Sequence, residues 1–351
     1  QLNYRLATLD DKDEIFRFLD ENWGEEQPLI HKSEYFEYYY HTGDKLNFAI
    51  AESVGEVRET KAICGYIPCN EKCTDIWASI WCAKKEKGST GAGLGLMGNM
   101  QRLTGAKIMS CNNIRANTVN FYTLLGFTAT RMPHYYMLNN NISKDNFNVC
   151  HIENMPILNL SATLLENKIN LKRILNKNEL DGFEPPQNYE PKKDVWHLKR
   201  RFFDYTDKNY FVYACCDEND NFTAVLAIQK VCVAKEEQGQ TKENAQGTNV
   251  LRVVDFVGDA KIFMQLKLPL QELLQSENAE YIDCYQYGFN EKIMASCGFA
   301  QRVENDANIV PNYLDPPLYE NIEYYFFTSN TENFTMWKAD GDQNHPNFGK
   351  Y

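Results

Sequence analysis

The chain has no apolar run approaching the roughly 20 residues that a membrane-spanning helix needs, so no membrane insertion is expected. Positive charge is also scarce. The sequence holds 36 Lys and Arg against 48 Asp and Glu, a formal net charge of -12. Basic surfaces draw nucleic acids and anionic membranes, so neither is an expected partner. A local pocket for a small anion stays open. Residues 1–13 lack a basic stretch followed by an apolar core, so no secretory leader is expected. No Walker loop and no Ser-His-Asp constellation is present. The 11 cysteines contain no Cys-x2-Cys pair, and the spacing of Cys64, Cys69 and Cys73 does not suit zinc, so no metal is expected. Cys82, Cys215, Cys216 and Cys232 sit inside apolar segments, which reads as reduced, buried thiols of a cytoplasmic protein.

What is plentiful is core-forming material: 43% of the 351 residues are apolar, with 20 Phe and 21 Tyr. That suffices for two ordinary domains. In the first part, periodicity predicts helices over residues 11–22, 33–40, 94–103 and 117–125. It predicts strands over 48–52, 61–67, 75–83, 107–111 and 128–138. Strands and helices mixed in this order indicate an α/β domain. The later part repeats the earlier one in outline. Residues 117–127 align on 289–299 and both close on Gly-Phe (Gly126-Phe127, Gly298-Phe299). The expected division is residues 1–150 and 151–351, with a connector over 151–191. Residues 234–249 read as a polar loop between two strands.

The repeat is chemically unequal. Thr90-Gly91-Ala92-Gly93-Leu94-Gly95 follows a strand and runs into a helix. Glycines turn sharply and bare their N–H groups, and a helix start adds partial positive charge, so the pair suits a pyrophosphate. The matching later stretch, residues 263–267, has no glycine, and Tyr122 aligns with Met294. The first part is therefore expected to bind a cofactor and the second is not.

The glycine loop, together with Tyr122-Thr123-Leu124-Leu125-Gly126-Phe127, resembles the GNAT acyltransferase superfamily, over about residues 3–139 and beyond that in outline. The resemblance implies two tandem GNAT-like α/β domains, each a twisted mixed sheet flanked by helices. It implies that the amides of Thr90, Gly91, Ala92, Gly93, Leu94 and Gly95 hold the pyrophosphate of acetyl-CoA or another acyl-CoA. A backbone N–H among Trp81, Cys82 and Ala83 would polarise the thioester carbonyl, and Tyr122 would protonate the departing thiolate. The other reading of Tyr122 is a core tyrosine bonded to a backbone carbonyl. Thr90 stands where the family has Arg or Gln, and Arg115 where Asn is common. For the base that deprotonates an acceptor amine, the candidates are His31 and His134, which titrate near neutrality, and then Glu34 and Glu86.

The tail Asp340-Gly341-Asp342-Gln343-Asn344-His345-Pro346-Asn347 is either an acidic turn or a segment ordered against the acceptor, where Asp, Asn and Gln suit sugar hydroxyls. The two-part pattern with this tail resembles acyltransferases associated with bacterial surface-polysaccharide synthesis. The expected reaction is N-acyl transfer to a small acceptor, an amino sugar or nucleotide-linked amino sugar. Two alternatives are an aminoacyl or peptidyl transferase of the same fold and a non-catalytic ligand-binding protein.

Overall fold

The computed structural model describes residues 1–23, 31–87, 90–158, 168–204, 210–233, 245–303, 305–315 and 317–344. The chain divides into two units. Unit 1 comprises Gln1–Ala129, Phe326–Asn330 and Gly341–Tyr351; unit 2 comprises Thr130–Tyr325 and Thr331–Asp340. The division is not the expected one at residue 150, because each sheet takes a strand from the other part of the sequence. The residues expected to form one long strand, 128–138, break at Pro133 into two strands that join different sheets. Proline has no N–H to give a ladder, so a strand ends there readily.

Unit 1 is built on β1 (Leu2–Leu6), α1 (Lys12–Trp23), α2 (Ser33–Tyr40), β2 (Phe48–Ser53), β3 (Glu59–Pro68), β4 (Asp75–Ala83), α3 (Thr90–Thr104), β5 (Ile108–Ile114), α4 (Val119–Leu124) and the first two residues of β6 (Thr128–Met132), the rest of which the division gives to unit 2. The second strand of the broken run is β7 (His134–Leu138). In α1 the buried residues Ile15, Phe18, Leu19 and Asn22 follow the helical period and make one inward face. β4 has the predicted bounds. Helix α3 begins at Thr90, four residues before the predicted start. Its buried side is Ala92, Leu96, Met97 and Met100.

Unit 2 contains β7, β8 (Asn170–Ile174), β9 (Tyr210–Cys216), β10 (Phe222–Cys232), β11 (Asn249–Val257), α5 (Ala260–Phe263), α6 (Lys267–Ser276), β12 (Ala279–Tyr287), α7 (Glu291–Ser296) and β13 (Ala300–Arg302). Two late strands follow, β14 (Tyr324–Thr328) and β15 (Met336–Trp337). The sheet orders are β1-β2-β3-β4-β5-β14-β6 and β8-β9-β10-β11-β12-β7-β13, with β15 paired to β12. The unit 2 core gathers Leu226, Leu251, Phe256, Leu270, Ile282 and Trp337. Of the expected connector, residues 159–167 lie outside the described residues, and its later part holds β8. Residues 234–244 of the expected polar loop also lie outside them.

The aligned helices α4 and α7 end identically. Gly126 and Gly298 both have φ +91°. The Phe127 N–H donates to the Tyr122 carbonyl at 3.1 Å, and the Phe299 N–H to the Met294 carbonyl at 2.9 Å. This is a helix stop that needs a left-handed residue, which glycine supplies without strain.

Candidate active site

In unit 1, β4 pairs antiparallel with β3 along its length, from Pro68↔Ile76 to Ala62↔Ala83, with a register shift between Cys64 and Tyr66. On its other edge β4 pairs parallel with β5 for only three rungs, Asp75↔Ile108, Ile76↔Met109 and Trp77↔Ser110. Past Trp77 the two parallel strands part and leave a fork. A bulge bends the strand that carries it; from Cys64↔Trp81 to Tyr66↔Ala78, β4 advances three residues against two on β3, so the bulge lies on β4 at Ser79–Ile80, in its diverging part. Gly65 stands opposite that bulge, where a Cβ would lie 2.9 Å from the Tyr40 ring. In α/β sheets, ligands bind beyond the carboxyl ends of parallel strands, which is where this fork opens.

The alternation of a strand identifies the groups that face the fork. The Lys84 N–H donates to the Lys61 carbonyl at 2.8 Å, continuing the β3 ladder. N–H directions alternate along a strand, so Cys82 shares the direction of Lys84. Trp81 and Ala83 aim theirs the other way, into the fork. Trp81 Nε1 donates to the Gly93 carbonyl at 3.2 Å. Its ring lies 5.6 Å from Phe121 and 6.1 Å from Tyr122 between centroids.

The glycines of α3 have separable roles. A Cβ on Gly95 would collide with the Tyr4 hydroxyl. One on Gly93 would lie 3.2 Å from Ala83 Cβ and 3.3 Å from the Trp81 ring, whereas Gly91 has nothing within 4 Å. Gly95 and Gly93 therefore let the helix close on the sheet, and Gly91 faces open space. The first four N–H groups of a helix have no intrahelical partner; among the described residues these are the groups of Thr90, Gly91 and Ala92. Gly93, Leu94 and Gly95 lie further in, where the helical ladder takes their N–H groups. No acid occupies the first turn. Lys85 and Lys87, on the preceding loop, form no ion pair with an acid among the described residues. The fork, the free amides and this loop fit the pyrophosphate end of an acyl-CoA.

Tyr122 is 6% exposed, with its ring 4.2 Å from Phe327 between centroids. Its hydroxyl has no hydrogen-bond partner among the described residues. The alternative reading required a bond to a backbone carbonyl. Burial raises its pKa, so the phenol keeps its proton. The neighbouring thiols are inert for the same reason: burial pushes Cys82 up to about 11 and Cys64 up to about 12.

The histidines are not brought together. His31 Nε2 lies 2.6 Å from Asp20 Oδ1 in unit 1. His134 belongs to unit 2, is 1% exposed, accepts at Nδ1 from Arg302 Nε at 2.9 Å and pairs at Nε2 with Asp283 at 2.9 Å. Burial lowers its pKa to about 4. With both nitrogens engaged and the neutral form favoured, it behaves as a core residue. Glu86 pairs with Lys61 at 2.7 Å and Lys84 at 3.1 Å, and Glu34 is exposed.

Residues not singled out from the sequence also reach the fork. Ser79 Oγ, on β4, donates to Asp342 Oδ2 at 2.8 Å and lies 2.7 Å from the Tyr40 hydroxyl. Asn113, on β5, donates to Gln343 Oε1 at 3.0 Å. The tail carried a signal in its Asp-Gly-Asp-Gln run. Its partners carried none, being 263 and 230 positions away.

Unit 2 has the corresponding parallel pair, β11 and β12, whose rungs end at Val253↔Cys284. The chain itself fills the space beyond. β15 pairs Gln286↔Trp337 and Tyr287↔Met336, and the Ala339 N–H donates to the Val254 carbonyl at 2.9 Å. Trp337 is fully buried and donates from Nε1 to the Tyr189 hydroxyl at 2.9 Å. Unit 2 does hold a cavity of about 810 Å³, lined by Tyr135, Asp259, Tyr287, Asn290 and Phe334 among others, with no Lys or Arg in its wall. Its only charge is acidic, which does not suit a pyrophosphate. No group of three or more potential metal ligands occurs among the described residues. None of their helices is long and apolar enough to cross a membrane.

No family model matches the chain, and no curated protein matches it. Among solved structures it is similar to a GCN5-related N-acetyltransferase from Anabaena variabilis, at 9% identity and a TM-score of 0.52, covering 93% of this chain and 72% of that one. It also matches Saccharomyces cerevisiae N-myristoyltransferase with bound myristoyl-CoA, at 11% identity and a TM-score of 0.42, covering 93% and 78%. A GCN5-related N-acetyltransferase from Sphaerobacter thermophilus matches at 8% identity and a TM-score of 0.38, covering 93% and 95%. The Anabaena likeness establishes the fold as that of the GCN5-related N-acetyltransferases. No argument rests on the other two.

Proposed function

We propose that unit 1 is an N-acyltransferase that moves an acetyl or other short acyl group from acyl-CoA to the amine of a small acceptor. The observation that carries this reading is the fork between β4 and β5, into which the Trp81 and Ala83 N–H groups point, beside the free amides that open α3. The amides of Thr90, Gly91 and Ala92 would hold the pyrophosphate, with Gly93 letting the helix start approach the sheet. A fork-facing N–H would donate to the thioester carbonyl and stabilise the negative charge that develops there during attack. Tyr122 would donate to the departing sulfur. Its burial makes it a weak acid, so its contribution is a hydrogen bond to the developing thiolate. With Cys64 and Cys82 held protonated, transfer would be direct, in a ternary complex.

The acceptor we favour is an amino sugar or nucleotide-linked amino sugar of surface-polysaccharide synthesis, since the tail offers Asp, Gln and Asn groups suited to hydroxyls. A bacterial cytoplasm accords with this reading and with 11 cysteines in no disulfide. Calorimetry with acetyl-CoA, followed by thiol release over a panel of amino sugars, tests it. No binding of acetyl-CoA refutes the acyltransferase reading. Binding without transfer to any amine on the panel would favour a ligand-binding protein of the same fold.

A further inference from the structure

We propose that Asp342 is the general base of this reaction, carried into the fork by the tail and oriented there by Ser79. The inference rests on the acyltransferase reading of unit 1. Gly341 opens the segment with φ +69°, and a Cβ on it would lie 3.4 Å from the Cβ of Trp77. Trp77 is the last β4 residue paired with β5, so the tail turns where the fork begins. Ser79, two residues along β4, donates to Asp342 Oδ2 at 2.8 Å, and Gln343 Nε2 donates to Asp342 Oδ1 at 2.9 Å. Gln343 is held in turn by Asn113 on the opposite prong. Both strands of the fork therefore grip the segment that presents one carboxylate.

The company of that carboxylate is distinctive. Its donors, Ser79 Oγ and Gln343 Nε2, are neutral, and no Lys, Arg or His pairs with it among the described residues. It is half-buried. Its charge acts on Tyr40 on α2 and Cys111 on β5, where burial first and then the Asp342 charge favour the protonated forms. Among the described residues, an acceptor ammonium entering the fork would meet a carboxylate that no cation is paired with.

The step balances. The ammonium gives one proton to the Asp342 carboxylate, which later releases it to water. The freed lone pair forms the C–N bond. The C–S bond breaks with its electron pair going to sulfur. The second proton lost by nitrogen ends on sulfur, so the products are amide, thiol and one proton.

The test compares the full chain with Asp342→Asn, using acetyl-CoA as donor and glucosamine or hydroxylamine as acceptor, with thiol release measured against pH. Glucosamine is mostly protonated near neutrality and needs a base; hydroxylamine is already neutral and does not. Loss of a general base costs about 10²–10⁴-fold. Asp342→Asn should lose at least about 100-fold in kcat with glucosamine and far less with hydroxylamine, and the lost rate should return as rising pH deprotonates the amine. Acetyl-CoA affinity and melting temperature should stay within error of wild type. Ser79→Ala keeps the carboxylate and should cost much less than Asp342→Asn. Equal losses with both acceptors, or an unchanged pH profile, would overturn the assignment while leaving the acyltransferase standing. A wild-type protein that releases no thiol with either amine would remove the assignment along with the reading beneath it.

Discussion

The three glycines that open α3 can be separated by substitution, because their surroundings differ. The decisive change is Gly91→Val. Nothing lies within 4 Å of a Cβ at this position, so the folded protein has room for it. Cβ atoms tilt toward the helix N-terminus, so the added side chain overhangs the free amides where a phosphate would sit. Acetyl-CoA affinity should fall at least tenfold, about 1.4 kcal/mol. Stability should hold or rise slightly, since glycine is a poorer helix residue than valine. Gly95→Ala should do the reverse. Its methyl must displace the Tyr4 hydroxyl, and overpacking of this kind costs about 1–3 kcal/mol. At about 2–4 °C per kcal/mol for a unit of this size, that is a fall of several degrees. Gly93→Val combines both effects, because Ala83 and Trp81 already lie within 3.2–3.3 Å of its Cβ position. Calorimetry and a thermal melt on the same preparations give both quantities. Gly91→Val binding acetyl-CoA as tightly as wild type would show that the helix start is not the phosphate site.

Tyr122→Phe keeps the ring against Phe327 and removes one donor, so turnover should fall by roughly 10²–10³ with little change in acetyl-CoA affinity; near-full turnover, with chemistry rate-limiting, would make the hydroxyl structural. Saturating acetyl-CoA should occupy one site per chain, because β15 fills the unit 2 fork, and a calorimetric stoichiometry of two would contradict that. His134 binds its proton at about 4 in the fold and near 6.5 unfolded, so the unfolded chain binds more protons between those values. Stability should therefore fall as pH drops through that window, at up to about 1.4 kcal/mol per pH unit, and level off below it. Urea midpoints of wild type and His134→Gln across this range would show it, the variant having the shallower slope; equal slopes would mean that His134 is not held neutral.

The legible part of the fold was the part set by local pattern. β4 could be bounded from its apolar run, and the Gly-Phe stops of α4 and α7 could be aligned because a left-handed glycine leaves a local mark. The start of α3 was misplaced because Gly91, Gly93 and Gly95 each disfavour a helix by about 1 kcal/mol relative to alanine. Burial of Ala92, Leu96, Met97 and Met100 outweighs that cost. The exchange of strands was not legible. Residues 128–138 have strand character throughout, and only Pro133 hints at a break. Nothing local states that β7 will lie between β12 and β13, or that β14 will lie between β5 and β6. Such pairings depend on the whole chain being collapsed.

The candidate site divides along the same line. Trp81, Ala83, the opening of α3 and Tyr122 lie within about 45 positions of one another in the sequence, close enough for a motif to specify them. His134 lies shortly beyond Tyr122 in the sequence, yet the break at Pro133 separates it from β6, and in unit 2 Arg302 and Asp283 occupy its ring nitrogens. The tail shows the converse. Asp342 lies far from Ser79 in sequence, but it arrives in the fork because the chain completes unit 2 with β15 and then turns at Gly341, a position whose φ of +69° favours glycine. In unit 2 the last strand fills the fork; in unit 1 the residues that follow it place a carboxylate there. One short C-terminal stretch thus accounts for the chemical inequality of the two forks. The missing glycines of unit 2 are then secondary, since restoring them would still leave Trp337 in the space a cofactor needs.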